Sequence, residues 1–408
     1  MFVLRDAGNK PIKVWLPDRS DLDSACMEQA GNLSNLPFAL RHIVLLPDCH
    51  MGYGMPIGGV LAAENQIIPN AVGNDIGCGI AFIHTDVPAS VLNEVDTGSG
   101  KLVDRIVGDI MRAVPTGFNH QKTPQKSAIL DDFRPPTNPR MAALEKEIER
   151  GYYQLGTLGG GNHFIELQTD DEGKLGIMVH SGSRNLGLQI CRAFDKIARD
   201  INAKESSPVP RRWQLAHLAT DSPTGKAYIE WMNMALAFAK ENRHLMMERV
   251  KTIIFEHLSK YAKIDDIPIG IEINAHHNYA ALENHYGKDV WVHRKGAIRA
   301  RQDEYGIIPG AMGSYSYIVK GKGNPKSFHS CSHGAGRAMS RKEALRRFDA
   351  QEVVEDLKAQ NVTLGKRRSR DVAEEARWAY KDVNEVIEQQ LDLMEPVLRL
   401  RTAAVVKG

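Results

Sequence analysis

The chain of 408 residues has few cysteines, little net charge and no long apolar run, and the first and last of these shortages each argue against a class of protein. Its five cysteines are odd in number and have no paired spacing, which argues against a disulfide framework and predicts a reducing, cytoplasmic environment. No membrane span is expected, because no stretch approaches roughly 20 apolar residues. Residues 1–6 show no basic segment leading into an apolar one, so no secretory signal is expected. A net charge of +2 neither indicates nor excludes a nucleic-acid partner.

What remains is the composition of a soluble globular protein, with 42% hydrophobic and 25% charged residues. An apolar strand over residues 42–46 runs into Asp48, and polar groups at a strand end are well placed for a site. Hydrophobic spacing predicts further elements: strands and turns over 2–87 and 269–322, helices over 101–114, 141–155 and much of 188–261, a loop up to Pro139, and a helical, charged tail from Arg337 onward.

No internal repeat, low-complexity tract or sharp linker divides the chain. Polar residues of the kind found in functional sites occur from Asp48 to Lys407. We therefore expect one compact α+β domain, residues 1–408, with mixed sheets around a shared centre.

The most informative segment is the glycine-rich run 72–79, in which Asp75 and Cys78 stand three positions apart. A thiolate is a soft metal ligand and a carboxylate is a hard one, and a tight turn can bring both to one divalent ion. The same residues also fit a plain turn, with Asp75 as its cap and Cys78 as a small buried hydrophobe. More ligands are needed to decide between the two.

Histidines beside glycine, serine or asparagine supply candidates for those ligands, since loop histidines at strand ends are typical metal ligands or catalytic groups. They are His163, His180, His276, His277 and His333. Adjacent side chains on an extended backbone point to opposite faces, so only one of His276 and His277 should reach a metal, and the residues alone do not say which. Together with Asp75 and Cys78 the set is rich enough for two ions, which can clamp attacking and leaving oxygens in phosphoryl transfer.

Glycine-rich segments beside hydroxyl groups can cradle phosphates through backbone N–H groups, and residues 159–162, 309–316 and 333–336 are of this kind. None is a Walker A loop, because no Gly-Lys-Ser/Thr follows the glycines. A phosphate-binding groove could draw on Arg184, Arg294, Lys295, Arg299, Arg301, Arg337 and the run 366–370. That run alone also fits a solvated helix face.

Taken together, the motifs closely resemble those of the RtcB-type RNA ligases, in order and over nearly the whole chain. They lie at residues 47–50, 75–79, 161–166, 180–184, 277–278, 332–337 and 406–408. That family joins RNA ends carrying a 2′,3′-cyclic phosphate or 3′-phosphate to 5′-hydroxyl ends, using GTP and manganese through a histidine–GMP intermediate. The resemblance implies the same RNA substrate, GTP, two Mn²⁺ ions and an RtcB-like fold.

The resemblance also implies a metal set. In that set Cys78 is the thiolate that bridges the two Mn²⁺ ions. Asp75 and His163 complete one site, and His180 and His277 complete the other, so the resemblance selects His277 over its neighbour.

A nucleophile and its surroundings follow from the same resemblance. His333 resembles the guanylylated histidine, and Asp48 resembles the carboxylate that fixes its tautomer. Arg184 lies where the family binds RNA phosphate. The nucleotide contacts implied are Asn162, Glu166, Ser316, Gly334, Ala335, Gly336, Arg337, Tyr380 and Lys407.

Two positions depart from the family pattern. Ala311 stands where many members have a serine that contacts nucleotide phosphate, and Asn185 stands where glycine is common. An archease-like activator is a further partner to expect. From other functional classes, the residues also fit a metal-dependent cyclic-phosphate phosphohydrolase without ligation, or a nucleic-acid-binding protein with a degenerate site. His333 with its carboxylate favours the ligase, because metal-activated water needs no separate nucleophile.

Overall fold

Two mixed β-sheets form the frame of the protein, and the computed structural model describes residues 1–136, 139–366 and 369–408. The strands in chain order are β1 (Phe2–Leu4), β2 (Ile12–Val14), β3 (Ile43–His50), β4 (Ile57–Ala63), β5 (Gln66–Ile67), β6 (Gly79–Pro88), β7 (Phe164–Asp170), β8 (Lys174–Ser181), β9 (Leu218–Ala219), β10 (Ile269–His276), β11 (Asn278–His285), β12 (Lys288–Lys295), β13 (Ala297–Arg299), β14 (Tyr305–Ile308), β15 (Tyr315–Gly321), β16 (Ser330–Ser332), β17 (Thr363–Gly365) and β18 (Met394–Lys407).

Helices cover the sheets. The α-helices are α1 (Ser24–Ser34), α2 (Pro69–Val72), α3 (Val91–Glu94), α4 (Leu102–Ala113), α5 (Ala128–Asp132), α6 (Ala142–Gln154), α7 (Arg184–Lys204), α8 (Pro223–His257), α9 (Arg341–Arg347), α10 (Ala350–Ala359) and α11 (Val383–Glu388). A π-helical turn, Leu258–Ala262, extends α8. Short 3₁₀ helices lie at Arg19–Asp21, Pro139–Met141, Arg211–Trp213, Pro325–Ser327, Ser369–Glu375 and Arg377–Ala379.

One sheet has the strand order β1-β2-β3-β4-β12-β11, and the larger one has the order β10-β6-β8-β7-β18-β15-β14, with β17 beside β18. The pairs β2–β3 and β17–β18 are parallel, whereas the other pairs within these sheets are antiparallel. Helices cover faces of these sheets, so the arrangement is α+β with mixed sheets, as predicted.

Apolar spacing explains why the helices lie where they do. Helix α4 buries residues at positions three and four apart, including Leu102, Ile106 and Ile110, and these side chains join the core formed by β6, β7, β8 and α8. The predictions for α4 and α6 are confirmed to within about one residue at each end. None of the helices in the described part of the chain combines the length and the apolar character that a membrane span requires.

Three predictions of secondary structure are wrong. The tail is not helical throughout, because it contains the short strand β17 and because β18 follows α11 and inserts between β7 and β15. The alternating residues 398–402 of β18 have the two-residue period of a strand. The first 87 residues contain the helix α1, which Asp23 caps by accepting from the Cys26 N–H. The loop before Pro139 contains the short helix α5.

Strand ends converge on one region of the molecule. Asp48 lies near the end of β3, and Cys78 immediately precedes β6. His180 is the second-last residue of β8, and His333 immediately follows β16. The fold therefore brings residues from distant parts of the chain to one centre, as expected for a site built at the ends of strands.

Candidate active site and metal centre

A tight turn carries Asp75 and Cys78. The Cys78 N–H donates to the carbonyl of Asp75 at 3.0 Å, which closes the turn just before β6. The buried guanidinium of Arg243 on α8 donates to the carbonyls of Gly77 at 2.8 Å and Ser181 at 3.0 Å. Arg243 thus ties the thiol-bearing turn to the end of β8, and nothing in its sequence context within a long helix identifies it.

Three side chains converge at this turn. The Cys78 Sγ lies 3.3 Å from Nε2 of His163 and 3.4 Å from Nε2 of His180. One ligand atom from each of the three residues lies within 4.8 Å of the others, and all three residues are buried. The plain-turn interpretation of Cys78 is therefore insufficient, because a buried hydrophobe does not gather two imidazole nitrogens.

Asp75 and His277 flank this cluster on either side. Asp75 Oδ2 lies 3.1 Å from His163 Nε2. The His277 ring packs edge-on against His180, with the centroids 5.1 Å apart. The neighbouring His276 turns away, and its Nδ1 lies 3.0 Å from the Gly77 carbonyl. The five predicted ligands are thus brought together, and the alternation argument holds for the histidine pair.

The electrostatics of the cluster suit a divalent cation. Burial, reinforced by Asp75, raises the pKa of the Cys78 thiol well above its ordinary value. Burial lowers the pKa of both His180 and His277, so their imidazoles are neutral and keep lone pairs for coordination. A thiolate at such a depth needs a nearby cation, and a mixed sulfur, nitrogen and carboxylate set matches the preferences of transition-metal ions. The residues present therefore fit a bound metal.

His333 stands next to the cluster and is held by Asp48. Its ring lies 4.7 Å from that of His277, centroid to centroid. Asp48 Oδ2 lies 2.7 Å from Nδ1 of His333 and also accepts its backbone N–H at 3.0 Å. Because a carboxylate at Nδ1 favours the Nδ1–H tautomer, Nε2 keeps its lone pair. This is the arrangement of a nucleophilic imidazole with an orienting carboxylate.

Glycine makes the approach to Asp48 possible. Gly58 has φ of +75°, and a Cβ there would lie 2.8 Å from Asp48 Oδ1 and from the Cα of Cys49. Gly336 has φ of +74°, and a Cβ there would lie 2.3 Å from the Asp48 carbonyl oxygen. Both positions therefore require glycine, for conformation and for space.

A cavity opens on one side of His333, and most of the predicted nucleotide residues line it. The lining includes Asn162, Glu166, Gly334, Ala335, Gly336, Arg337, Tyr380 and Lys407. Ser316 lies behind the wall instead, where its Oγ accepts from the Gly310 N–H at 3.2 Å and from Gln168 Nε2 at 3.2 Å. The geometry makes Ser316 a support of the wall and not part of its surface.

Glu375 is the centre of a charged network in this cavity that sequence reasoning missed. It accepts from the Tyr380 hydroxyl at 2.6 Å, and Lys407 Nζ lies 3.2 Å away. Arg337 lies 3.5 Å and Arg341 3.8 Å from the other carboxylate oxygen. Glu375 has no glycine or histidine neighbours in the sequence, so no local signal separates it from the other acidic residues of the tail.

Glu166 occupies the same cavity as a fully buried carboxyl group. Burial raises its pKa to about 7, although Gln168, which donates to it at 2.7 Å, and Lys407 act in the opposite direction. A carboxyl group with this pKa changes charge near neutral pH. A ligand with N–H donors can therefore bind Glu166 in its ionised form, whose oxygens accept the hydrogen bonds.

The two departures from the family pattern lie in different surroundings. Ala311 lies at the boundary between this cavity and a neighbouring cleft. The nearby Ser314 donates its hydroxyl to the Ala311 carbonyl at 2.8 Å and lines the cleft, so it does not replace a hydroxyl at 311. Asn185 donates to Glu147 at 2.7 Å and so anchors the start of α7 to α6.

Arg184 is joined to the metal side of the centre. Its Nη2 donates to the Gly117 carbonyl at 2.5 Å, and its Nε donates to Thr157 at 3.0 Å. A Cβ on Gly159 would lie 2.5 Å from Arg184 Nη1 and 2.0 Å from His163 Nδ1, so the guanidinium and the imidazole both pack against Gly159. Arg184 therefore lies at the edge of the candidate metal centre, and its predicted contact with RNA phosphate stays a prediction.

Three cations that were predicted to contribute to a phosphate-binding groove, Arg294, Lys295 and Arg299, are engaged by other protein groups, so the prediction is wrong for them. Arg294 is fully buried and pairs with Glu283 at 2.5 Å. Arg299 pairs with Glu304 at 2.6 Å. Lys295 is buried and donates to the carbonyls of Tyr53 and Asn70. In the run 366–370, Arg367 and Arg368 lie outside the described residues, and Lys366 Nζ donates to the Gly408 carbonyl at 3.2 Å.

A second opening lies on the other side of His333 and leads to cations that the sequence analysis did not single out. Its walls include Asp75, Cys78 and His277, and it continues past Tyr53 and Asn70. The same two residues also line a groove with Arg199, Arg211 and Arg212. Arg211 and Arg212 are exposed, and neither has an ion-pair partner within the ranges that the structure describes.

Comparison with known proteins agrees with this geometry. Residues 29–408 match the family model described as tRNA-splicing ligase RtcB. The chain is 36% identical over 425 residues to the RNA-splicing ligase RtcB of Escherichia coli (strain K12), with all of both chains covered. It is 32% identical over 446 residues to the tRNA-splicing ligase RtcB of Pyrobaculum aerophilum, covering 94% of this chain and 91% of the relative. It is 32% identical to the RNA-splicing ligase RtcB of Mycobacterium tuberculosis (strain H37Rv), covering 93% of this chain and 100% of the relative. The chain therefore belongs to the RtcB family.

Proposed function

We propose that this protein is an RNA ligase that joins ends carrying a 2′,3′-cyclic phosphate or 3′-phosphate to 5′-hydroxyl ends, with GTP and Mn²⁺. The relatives named as RNA-splicing and tRNA-splicing ligases support this proposal. The observation that carries it is the position of His333. Its ring lies between the cavity that holds Glu166 and Lys407 and the cluster around Cys78, with Nδ1 fixed by Asp48.

In the proposed first step, Nε2 of His333 attacks the α-phosphorus of GTP. The new N–P bond replaces the α–β phosphoanhydride bond, and pyrophosphate leaves. The Asp48 carboxylate stabilises the imidazolium character that develops on the ring. An oxygen of the RNA 3′-phosphate then attacks the phosphorus of the GMP group, and the N–P bond to His333 breaks. The 5′-hydroxyl of the second strand loses its proton and attacks the phosphorus of the RNA 3′-phosphate, from which GMP leaves.

The proposed metal ligands are Asp75, Cys78, His163, His180 and His277. Bound Mn²⁺ ions would neutralise phosphate charge and polarise the reacting oxygens. The side chains themselves contribute a dry, preorganised set of lone pairs, because burial lowers the pKa of His180 and His277 and keeps these two imidazoles neutral.

The cavity beside His333 is proposed to hold the guanine nucleotide. Glu166 can accept from N–H donors of guanine, and Lys407 and Arg337 contact Glu375 in the same cavity. The backbone of residues 334–336 directly follows His333, and Asn162 lines both openings together with His333, so these groups are suited to phosphate oxygens. Ser316 would act indirectly, through Gly310 and Gln168.

RNA is proposed to enter from the opposite opening. Arg184 stands at the metal side of the centre, and the groove past Tyr53 ends at Arg211 and Arg212. Two exposed guanidinium groups without ion-pair partners in the described residues are free to meet a phosphate backbone.

The proposal is tested by incubating the protein with α-labelled GTP and Mn²⁺ and looking for label on the protein. We expect a GMP adduct that is labile in acid and stable in base, absent from His333→Ala protein and placed on His333 by mass spectrometry. If the protein acquires no GMP label and opens 2′,3′-cyclic phosphate ends without joining them, it is the phosphohydrolase. An adduct on a lysine would indicate a different ligase mechanism.

We further propose that residues 1–408 act as one unit in the cytoplasm, with an archease-like activator as a possible partner protein. The single unit is supported by the site itself, which draws on residues from Asp48 to Lys407. All five cysteines are free and buried, which supports a reducing compartment.

A further inference from the structure

Phe118 is fully exposed, at 102% of its reference area, although the loop that carries it is held firmly. The Leu158 N–H donates to the Pro115 carbonyl at 2.9 Å, and the Asn119 N–H donates to Thr116 at 3.1 Å. On the other side, the Gln121 N–H donates to the Tyr153 carbonyl at 2.8 Å. The exposure of the ring is therefore a feature of an anchored loop, and burying an aromatic ring normally contributes favourably to stability.

The loop is connected directly to the candidate metal centre. Gly117, the residue before Phe118, accepts a hydrogen bond from Arg184 at 2.5 Å. Arg184 in turn lies against Gly159, and Gly159 lies against the ring of His163. Phe118 is thus one residue away from a continuous line of contacts that ends at a proposed metal ligand.

The charges around the loop favour an anionic partner. Partial burial lowers the pKa of His120, and the positive charges of Arg184 and Arg150 lower it further. Lys122 follows in the same loop and is exposed. An exposed aromatic ring near cations is typical of nucleic-acid surfaces, where the ring stacks on a base and the cations meet the backbone.

We propose that Phe118 stacks on a nucleobase at the RNA end that is being joined. This inference rests on the proposed RNA ligase function and adds a base-binding position to it. Stacking does not read base edges, so the contact tolerates any base. Phe118 would act by fixing the terminal nucleotide relative to Arg184 and the metal ligands.

The first test compares Phe118→Ala, Phe118→Trp and a matched control, Tyr305→Ala, which removes an exposed aromatic side chain that lines none of the cavities described above. We expect Phe118→Ala to raise the Kd for single-stranded RNA and the KM for ligation by about fivefold or more. Phe118→Trp should retain tight binding, and Tyr305→Ala should bind RNA as the unaltered protein does. Guanylylation of His333 should be equal in all four proteins, since it needs no RNA.

The second test removes the base instead of the ring. An RNA with an abasic terminal nucleotide should bind the unaltered protein as weakly as intact RNA binds Phe118→Ala, and combining the two changes should add little further loss. Placing the abasic nucleotide on the 3′-phosphate strand or on the 5′-hydroxyl strand identifies which end stacks.

Full RNA affinity and KM in Phe118→Ala protein that ligates normally would overturn this inference and leave the proposed function intact. Additive losses in the abasic experiment would also overturn it, because independent effects do not indicate a shared contact. Failure of the unaltered protein to form the GMP adduct or to ligate would instead reject the proposed function, and that outcome is read in the same preparations.

Discussion

Asp48 Oδ2 contacts His333 twice, through the ring Nδ1 at 2.7 Å and through the backbone N–H at 3.0 Å. The carboxylate is completely buried, so it fixes both the position of the loop and the tautomer of the ring. A neutral amide at the same place cannot stabilise positive charge on the imidazole.

We therefore predict that Asp48→Asn slows formation of the GMP adduct by at least about 100-fold. Bound metal should be unchanged, since Asp48 does not contact the cluster around Cys78. Single-turnover labelling with α-labelled GTP measures the rate, and elemental analysis measures the metal. The exposed Asp382→Asn variant serves as the control, and equal rates in the two variants would contradict the orienting role.

The second prediction concerns the thiol. Cys78→Ala should lose bound Mn²⁺ and adduct formation together, because Sγ lies within 3.4 Å of two proposed imidazole ligands. Cys191→Ala removes another fully buried thiol, whose Sγ lies 3.5 Å from the Pro69 carbonyl, and should keep its metal. Circular dichroism establishes that both proteins fold. Full metal content in folded Cys78→Ala protein would remove Cys78 from the ligand set.

The residues proposed as metal ligands and nucleophile could be singled out in the sequence because their chemistry is uncommon in ordinary turns. Asp75 with Cys78, and histidines at strand ends, stand out without any knowledge of contacts. The choice between His276 and His277 came from resemblance, since alternation predicts opposite faces but not which face holds the metal.

Other parts of the site depend on contacts that no local pattern records. Arg294 resembled a phosphate ligand, yet the hairpin of β11 and β12 buries it against Glu283, 11 positions earlier in the chain. Lys407 reaches the cavity because β18 is a strand, whereas the charged tail was predicted to be helical. Glu375 becomes the centre of its network through contacts with Tyr380, Lys407, Arg337 and Arg341.

A third prediction follows from the pKa of about 7 that burial gives Glu166. Guanine N–H donors bind the carboxylate form, so binding should favour loss of the proton and should strengthen as the pH rises. The ionised fraction is about one tenth at pH 6 and about nine tenths at pH 8, so affinity should increase by up to about tenfold.

Calorimetric titration with guanosine at pH 6, 7 and 8, without added metal, measures this effect free of phosphate titration. Glu166→Gln should bind with little dependence on pH over the same range. Tighter binding at pH 6 than at pH 8 would show that the protonated carboxyl group is the binding form.

The fourth prediction concerns the groove that ends at Arg211 and Arg212. Replacing both with alanine should weaken binding of single-stranded RNA and flatten its salt dependence. The slope of log K against log salt should fall by about 1.4, since each phosphate contact to a single strand contributes about 0.7.

Fluorescence anisotropy from low to moderate salt gives both quantities. The double variant Arg5→Ala/Lys146→Ala removes the same charge from exposed positions outside the grooves described above and is the matched control. An equal change of slope in both double variants would indicate a general effect of net charge and would remove this groove as the RNA path.

The last prediction traces the phosphate at the new junction. In the proposed mechanism His333 passes GMP to the RNA 3′-phosphate, and the attacking 5′-hydroxyl then displaces GMP from that phosphorus. The phosphorus of the RNA end therefore stays in the product, and none comes from GTP. An RNA labelled at its 3′-phosphate and sealed to a 5′-hydroxyl strand should keep the label through phosphatase treatment, whereas α-labelled GTP should leave no label in the RNA product. Loss of the RNA label, or sealing only of acceptors that carry a 5′-phosphate, would assign the metal centre and His333 to a different reaction.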